Sequence, residues 1–184
     1  SEEDLDLFRR ASHDENPLHR SVAYARQTAF GAPVVFGVLA TLRAFACLPT
    51  RTGTRLKSAK AQFKGAMFVG VEYQLHTKWH SDDEIVLRIK DGRRLVTKLT
   101  AKFSGGAPAS DAPRGDGVAP RLTPAASAPT GAGSSHGACG PAWNAVVELA
   151  EKLALPERGL GPFEVAALCA CSYVVGMEVP GEQA

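Results

Sequence analysis

From Val35 to about Leu48 the chain reads as a helix that is apolar nearly all round, carrying Val38, Leu39, Leu42, Phe45, Ala46 and Leu48. A helix of that kind has no face to give to water, so other elements must enclose it. Pro49 and Gly53 end it. Beyond them the period changes to two. Leu56–Phe63 is an expected strand, and Val69–Trp79 alternates Val69, Val71, Tyr73, Leu75, Thr77 and Trp79 on one face. Ile85–Ile89 and Leu95–Phe103 continue the pattern and are joined through Asp91-Gly92, a strong hairpin signal. A long central helix followed by an antiparallel meander predicts an α+β fold.

Ahead of the central helix, Ser1 is the expected cap of a first short helix. Glu2, Glu3 and Asp4 suit its positive end, and Leu5, Phe8 and Ala11 give it an apolar face. A turn stiffened by Pro17 follows, then a second short helix, Val22–Thr28, capped by Ser21 and broken by Phe30-Gly31-Ala32-Pro33. Three regions result. Residues 1–103 form one folded unit. Residues 104–141 are dominated by Gly, Ala, Pro and Ser; they bury too little surface to offset their ordering entropy and read as a flexible linker. Residues 142–184 regain helical patterning.

A chain of 184 residues fits one domain, or one domain plus a fragment. Its net charge of +2 is spread without a basic block, which disfavours nucleic acid as a partner. The apolar stretches Val34–Leu42 and Val165–Val175 are too short to span a bilayer, and the acidic start is no signal peptide. Cys47, Cys139, Cys169 and Cys171 form neither a paired framework nor a C-x-x-C spacing, so reduced thiols in a cytoplasmic protein are expected.

Residues 14–19 read Asp14-Glu15-Asn16-Pro17-Leu18-His19, a D-x-N-P-x-H run. Phe30 to Gly37 follow as F-G-x-P-x-x-x-G, just ahead of the buried helix. This order resembles the MaoC-like hotdog proteins, which include the R-specific enoyl-thioester hydratases and related dehydratases. The matching positions are Asp14, Asn16, Pro17, His19, Phe30, Gly31, Pro33 and Gly37, with Phe63 and Gly70 where the family's next strands carry an apolar residue and a turn glycine. The resemblance covers residues 1 to about 103 and implies a hotdog, a long central helix wrapped by an antiparallel sheet. Phe36 stands where the family often has His, and Ser21 where it often has an acid. A hotdog normally starts with a strand and this chain starts at the helix. The expectation is a piece cut from a longer protein, or an edge strand supplied from elsewhere. Ala166–Val175 running into Gly176-Met177-Glu178-Val179-Pro180-Gly181 resembles the helix of a second hotdog repeat. Residues 142–184 thus read either as the opening of a truncated second half or as a helical packing extension.

The resemblance also implies a chemistry: hydration of a trans-2-enoyl thioester, or dehydration of the 3-hydroxyacyl thioester, by a lyase of fatty acid or polyketide metabolism. Asp14 and His19 would hold the catalytic water, and a histidine can both accept and donate near neutral pH. The backbone N–H of Gly37, at the helix N-terminus, would hold the thioester oxygen. Asn16, Pro33 and Phe36 would contact substrate, and Pro17 would fix the turn. The residues alone leave a plainer reading open: Asp14 and Asn16 making Asx-turn hydrogen bonds, His19 capping a helix or bonding a carbonyl. The substrate handle is an acyl-CoA or acyl-carrier-protein thioester. No metal or organic cofactor is implied, and hotdogs of this type pair as homodimers or as two halves. A non-catalytic hotdog for acyl binding or assembly in a biosynthetic complex is the alternative, and thioesterase activity is disfavoured by the motif. His13, His76, His80, the Asp82-Asp83-Glu84 loop, Arg93-Arg94 and the His136–Cys139 stretch carry no comparable pattern; Cys169 and Cys171 read as core of an apolar helix.

Overall fold

A computed structural model describes residues 2–50, 53–105, 117–118 and 142–175. The cap expected at Ser1 lies outside them, as do most of the 104–141 linker and the Gly176–Gly181 run. Helix α1 (Glu2–Ser12) has its acids in the first turn and Arg9 and Arg10 in the last, matching the helix dipole at both ends. It buries Leu7, Phe8 and Ala11. Helix α2 (Val22–Ala25) is capped by the Ser21 hydroxyl, which accepts from the Tyr24 N–H. It ends before the expected Thr28. The central helix α3 spans Gly37–Ala46, two residues shorter at each end than the apolar pattern.

The sheet is antiparallel. Strands β1 (Arg55–Phe63), β2 (Gln74–Trp79), β3 (Glu84–Asp91) and β4 (Arg94–Ser104) lie in the order β1-β4-β3-β2. Leu87 faces Leu99 and Ile85 faces Ala101 across the β3–β4 pair. The hairpin turn between them places Gly92, with φ 55°, at the first central position, where a side chain would be strained. Strand β2 corrects the expectation of a strand from Val69. Gly70 adopts φ 78° and both Val69 and Val71 are exposed, so the chain turns there and pairs only from Gln74. Phe68 bridges to Val34 instead, and its N–H donates to the Tyr73 hydroxyl. Within the expected linker, Ser104 closes β4, and Gly117–Val118 form β5, which pairs with β2 at His76 and Thr77.

The inner sheet face, with Leu75, Ile85, Leu87, Ile89, Leu99 and Phe103, meets Leu39, Leu42 and Phe45 of α3 in one buried cluster. Phe45 stands edge-on to Phe103 at 6.4 Å. This is the expected α+β hotdog arrangement of helix on sheet. Helices α4 (Trp143–Lys152) and α5 (Pro162–Val175) extend the same core. Val146, Leu149, Leu155, Leu160 and Val165 are fully enclosed in the cluster that holds Phe8 and Phe45. Each such side chain contributes about 1.5–3 kcal/mol of burial. The buried Asp4 carboxylate of α1 pairs with Arg43 of α3, and Lys152 of α4 lies 3.6 Å away, so three helices meet at one charge.

Candidate active site

The turn after α1 is built from side chains that replace missing backbone partners. His13 leaves the helix with φ 55°. The Asp14 N–H then donates to the Ser12 hydroxyl, 3.2 Å away. Asp14 Oδ1 accepts from the Asn16 N–H at 3.1 Å, and Asn16 Oδ1 accepts from the Leu18 N–H at 3.0 Å. Pro17 opens the short 3₁₀ turn Pro17–His19, where its missing N–H costs nothing. Asp14 and Asn16 therefore do make the Asx-type bonds that the residues alone allowed. Asp14 is buried, 6% exposed, and its second oxygen is also engaged: the Ser172 hydroxyl of α5 donates to Oδ2 at 2.7 Å.

His19 is held by the segment that leads into α3. The Val34 N–H donates to the Leu18 carbonyl at 3.2 Å, and Nδ1 of His19 lies 2.7 Å from the Val34 carbonyl oxygen. A carbonyl oxygen only accepts, so Nδ1 carries the proton, and in the neutral ring Nε2 is the bare nitrogen. The imidazole stacks on Phe36, centroids 4.0 Å apart and planes at 30°. Phe36 is itself buried against Phe8 at 4.9 Å.

Helix α3 starts at Gly37 with no side-chain cap, and its first intrahelical bond is from the Ala40 N–H to the Phe36 carbonyl. The N–H groups of Gly37, Val38 and Leu39 thus precede the helical ladder and point out of its positive end. A Cβ at Gly37 would lie 2.8 Å from the Phe63 ring, so glycine lets strand β1 close over the helix start.

A pocket of about 530 Å³ opens beside this turn. Its apolar wall includes Leu5, Pro33, Phe36 and Phe68, and its rim carries Glu2, Asp6, Arg9 and Arg20. Of the residues expected at the site, His19, Pro33 and Phe36 line it together. Asp14, Asn16 and Gly37 are not in its lining: Asp14 is turned to Ser172, Asn16 caps the turn, and Gly37 faces Phe63. At the rim, Glu15 joins Arg9 and Arg20, each at 2.7 Å, and Asp6 adds to Arg9, whose guanidinium is raised above its ordinary value chiefly by that hydrogen bond. Among the described residues no group of three His, Cys, Asp or Glu is placed to hold a metal ion. Ser172 and the Val34 carbonyl were not singled out by the sequence. A lone hydroxyl in an apolar helix and a backbone oxygen carry no pattern that could have marked them.

Residues 1–101 match the family described as MaoC like domain. The chain belongs to that family, whose members include hydratases and dehydratases. Among solved structures it is similar to the (R)-hydratase from A. caviae involved in PHA biosynthesis, at 26% identity over 54% of this chain and 83% of that one, with a TM-score of 0.46. A protein from Archaeoglobus fulgidus is similar at 23% identity, covering 56% of this chain and 70% of that chain, with a TM-score of 0.47. A comparison with curated proteins gives no match. No helix of the described residues is long and apolar enough to cross a membrane.

Proposed function

We propose that this chain is a lyase that adds water to trans-2-enoyl thioesters or removes it from 3-hydroxyacyl thioesters. The observation that carries the reading is the turn that carries Asp14 and His19 just ahead of α3, with the Nδ1 proton of His19 spent on Val34 and its ring in the pocket wall, while Asp14 is buried outside the pocket lining. Water attacks the β-carbon while one proton passes to Nε2 of His19 or to the Asp14 carboxylate. The π electrons move through the α-carbon onto the thioester oxygen, where the Gly37 N–H holds the charge. One proton then returns to the α-carbon, so the net change is H on one carbon and OH on its neighbour. An ionised carboxylate has about four acceptor positions, and two on Asp14 are taken by protein donors, which leaves it able to hold a water. Losing one oxyanion donor typically costs roughly 10²–10³ in rate. Pro33 and Phe36 contact the acyl part, and Asn16 keeps the turn in shape.

The acyl group is carried as a coenzyme A or carrier-protein thioester. Strand β1 is one edge of the sheet and is exposed along nearly its whole length, which supports pairing with a second copy or a partner hotdog half. The burial of Asp14 and the Phe36 in place of a family histidine support a second reading, an acyl-binding module without turnover. The test follows the ultraviolet absorbance of a short trans-2-enoyl thioester. Loss of absorbance with wild type, abolished in Asp14→Asn and His19→Ala, supports the lyase. Thioester binding with no product from folded wild type favours the module. Hydration that persists in both variants removes the site assignment.

A further inference from the structure

Ser172 is one of few polar side chains buried among the described residues, at 7% exposed. It lies on the stripe of α5 that also carries Val165 and Cys169, both fully enclosed. A hydroxyl on such a stripe is costly unless it finds a partner. Its partner is the motif carboxylate: the Oγ–H of Ser172 donates to Asp14 Oδ2 at 2.7 Å, the length of a charge-assisted O–H···O⁻ bond. Of the hydrogen bonds to Asp14 among the described residues, this one alone comes from outside residues 12–16. The Asn16 N–H holds the other oxygen, so the carboxylate is gripped at both ends and cannot rotate without losing a bond. Helix α5 also packs on α1, which leads into Asp14, and on α3, which begins at Gly37. It therefore braces both sides of the turn. Ser172 lies well beyond the stretch matched by the family.

We propose that Ser172 is a positioning residue for the hydration reaction, fixing the plane of the Asp14 carboxylate so that a free lone pair of each oxygen stays directed at the water. This rests on the lyase reading above. The hydroxyl touches no substrate atom in this role; it acts through Asp14. Removing it leaves Asp14 held by the Asn16 N–H alone, free to turn about its side-chain bond. The expected consequence falls on turnover and spares substrate affinity.

The experiment uses the full chain and measures kcat and KM for enoyl-thioester hydration, with thermal unfolding of every variant alongside. Ser172→Ala is expected to lower kcat about 10- to 100-fold with KM within about twofold. Ser172→Thr, which keeps the hydroxyl, restores most of the rate, and Ser172→Val, of similar volume without it, does not. That pair also makes the comparison if Ser172→Ala fails to fold. Cys171→Ala on the exposed neighbouring position keeps wild-type rates. A folded Ser172→Ala or Ser172→Val with wild-type kcat, beside an active wild type, overturns the positioning role and leaves the lyase reading standing. Folded wild type without turnover overturns both.

Discussion

The imidazole of His19 stacks on the Phe36 ring, 4.0 Å between centroids with the planes 30° apart, while its Nδ1 is fixed to the Val34 carbonyl. Stack and hydrogen bond together leave the ring one orientation. Phe36→Leu keeps an apolar side chain of somewhat smaller volume and removes the aromatic face. It is expected to cost about 1 kcal/mol of stability and to lower hydration kcat about 10-fold, as His19 gains freedom to tip. Urea unfolding beside steady-state kinetics checks both numbers. A stability loss with kcat untouched would show that the stack does not orient the histidine.

Asp4 and Arg43 give an asymmetric prediction. The carboxylate is buried at 1% exposed, whereas Arg43 and Lys152 reach water, at 38% and 31% side-chain exposure. Removing the cation leaves a buried anion with weaker compensation; removing the anion leaves cations that hydrate. Arg43→Ala should therefore destabilise by about 3 kcal/mol, and Asp4→Asn by clearly less. Chemical denaturation of the two variants decides the order. Equal losses would mean that packing of the arginine stem, and not charge, sets the cost.

Much of this fold was legible because the relevant signals are local and periodic. The all-apolar run predicted α3, and alternation predicted β1, β3 and β4 to within one or two residues. Alternation failed at Val69 and Val71 because period two cannot distinguish a paired strand from an extended turn, and Gly70 at φ 78° was decided by the backbone. Strand β5 was not legible, since Gly117–Val118 pair with β2 through main-chain groups that any composition supplies. At the site, the D-x-N-P-x-H spacing located the turn, and its Asn16 cap and Pro17 followed from residue type. The Ser172 contact joins positions 158 residues apart, and only tertiary packing brings them together.

Gly37 separates a steric from an electrostatic role. Its Cβ would meet Phe63 Cε1 at 2.8 Å, but Phe63 is 49% exposed and its ring has room to swing outward. Gly37→Ala should change stability by less than about 1 kcal/mol, as helix propensity offsets the displaced ring. Hydration should still fall by about 10-fold or more, because the added methyl crowds the approach to the helix N–H groups. Adding Phe63→Ala relieves the contact, so the double variant should gain stability over Phe63→Ala alone without regaining rate. Recovery of rate in the double variant would assign the defect to Phe63 and not to the glycine backbone.

Cys169 and Cys171 share α5 but not an environment. Cys169 is fully enclosed, and burial, aided by the neighbouring Cys171, pushes its thiol from 9.0 up to about 12; Cys171 is exposed. Only the thiolate alkylates, so at about pH 8 iodoacetamide should label Cys171 in the native protein and Cys169 only after unfolding. The same shift sets a pH dependence. Between 9.0 and about 12 the unfolded chain releases this proton while the folded one keeps it. The unfolded state then binds fewer protons, so stability is whole below 9.0 and falls as pH climbs toward 12. The slope from this group approaches about 1.4 kcal/mol per pH unit. Cys169→Ala removes the titrating group while keeping a small apolar side chain. Its stability should fall less steeply above pH 9.0 than that of wild type. Parallel alkaline slopes in the two proteins, or equal native labelling of both cysteines, would show that Cys169 opens to solvent in the folded state.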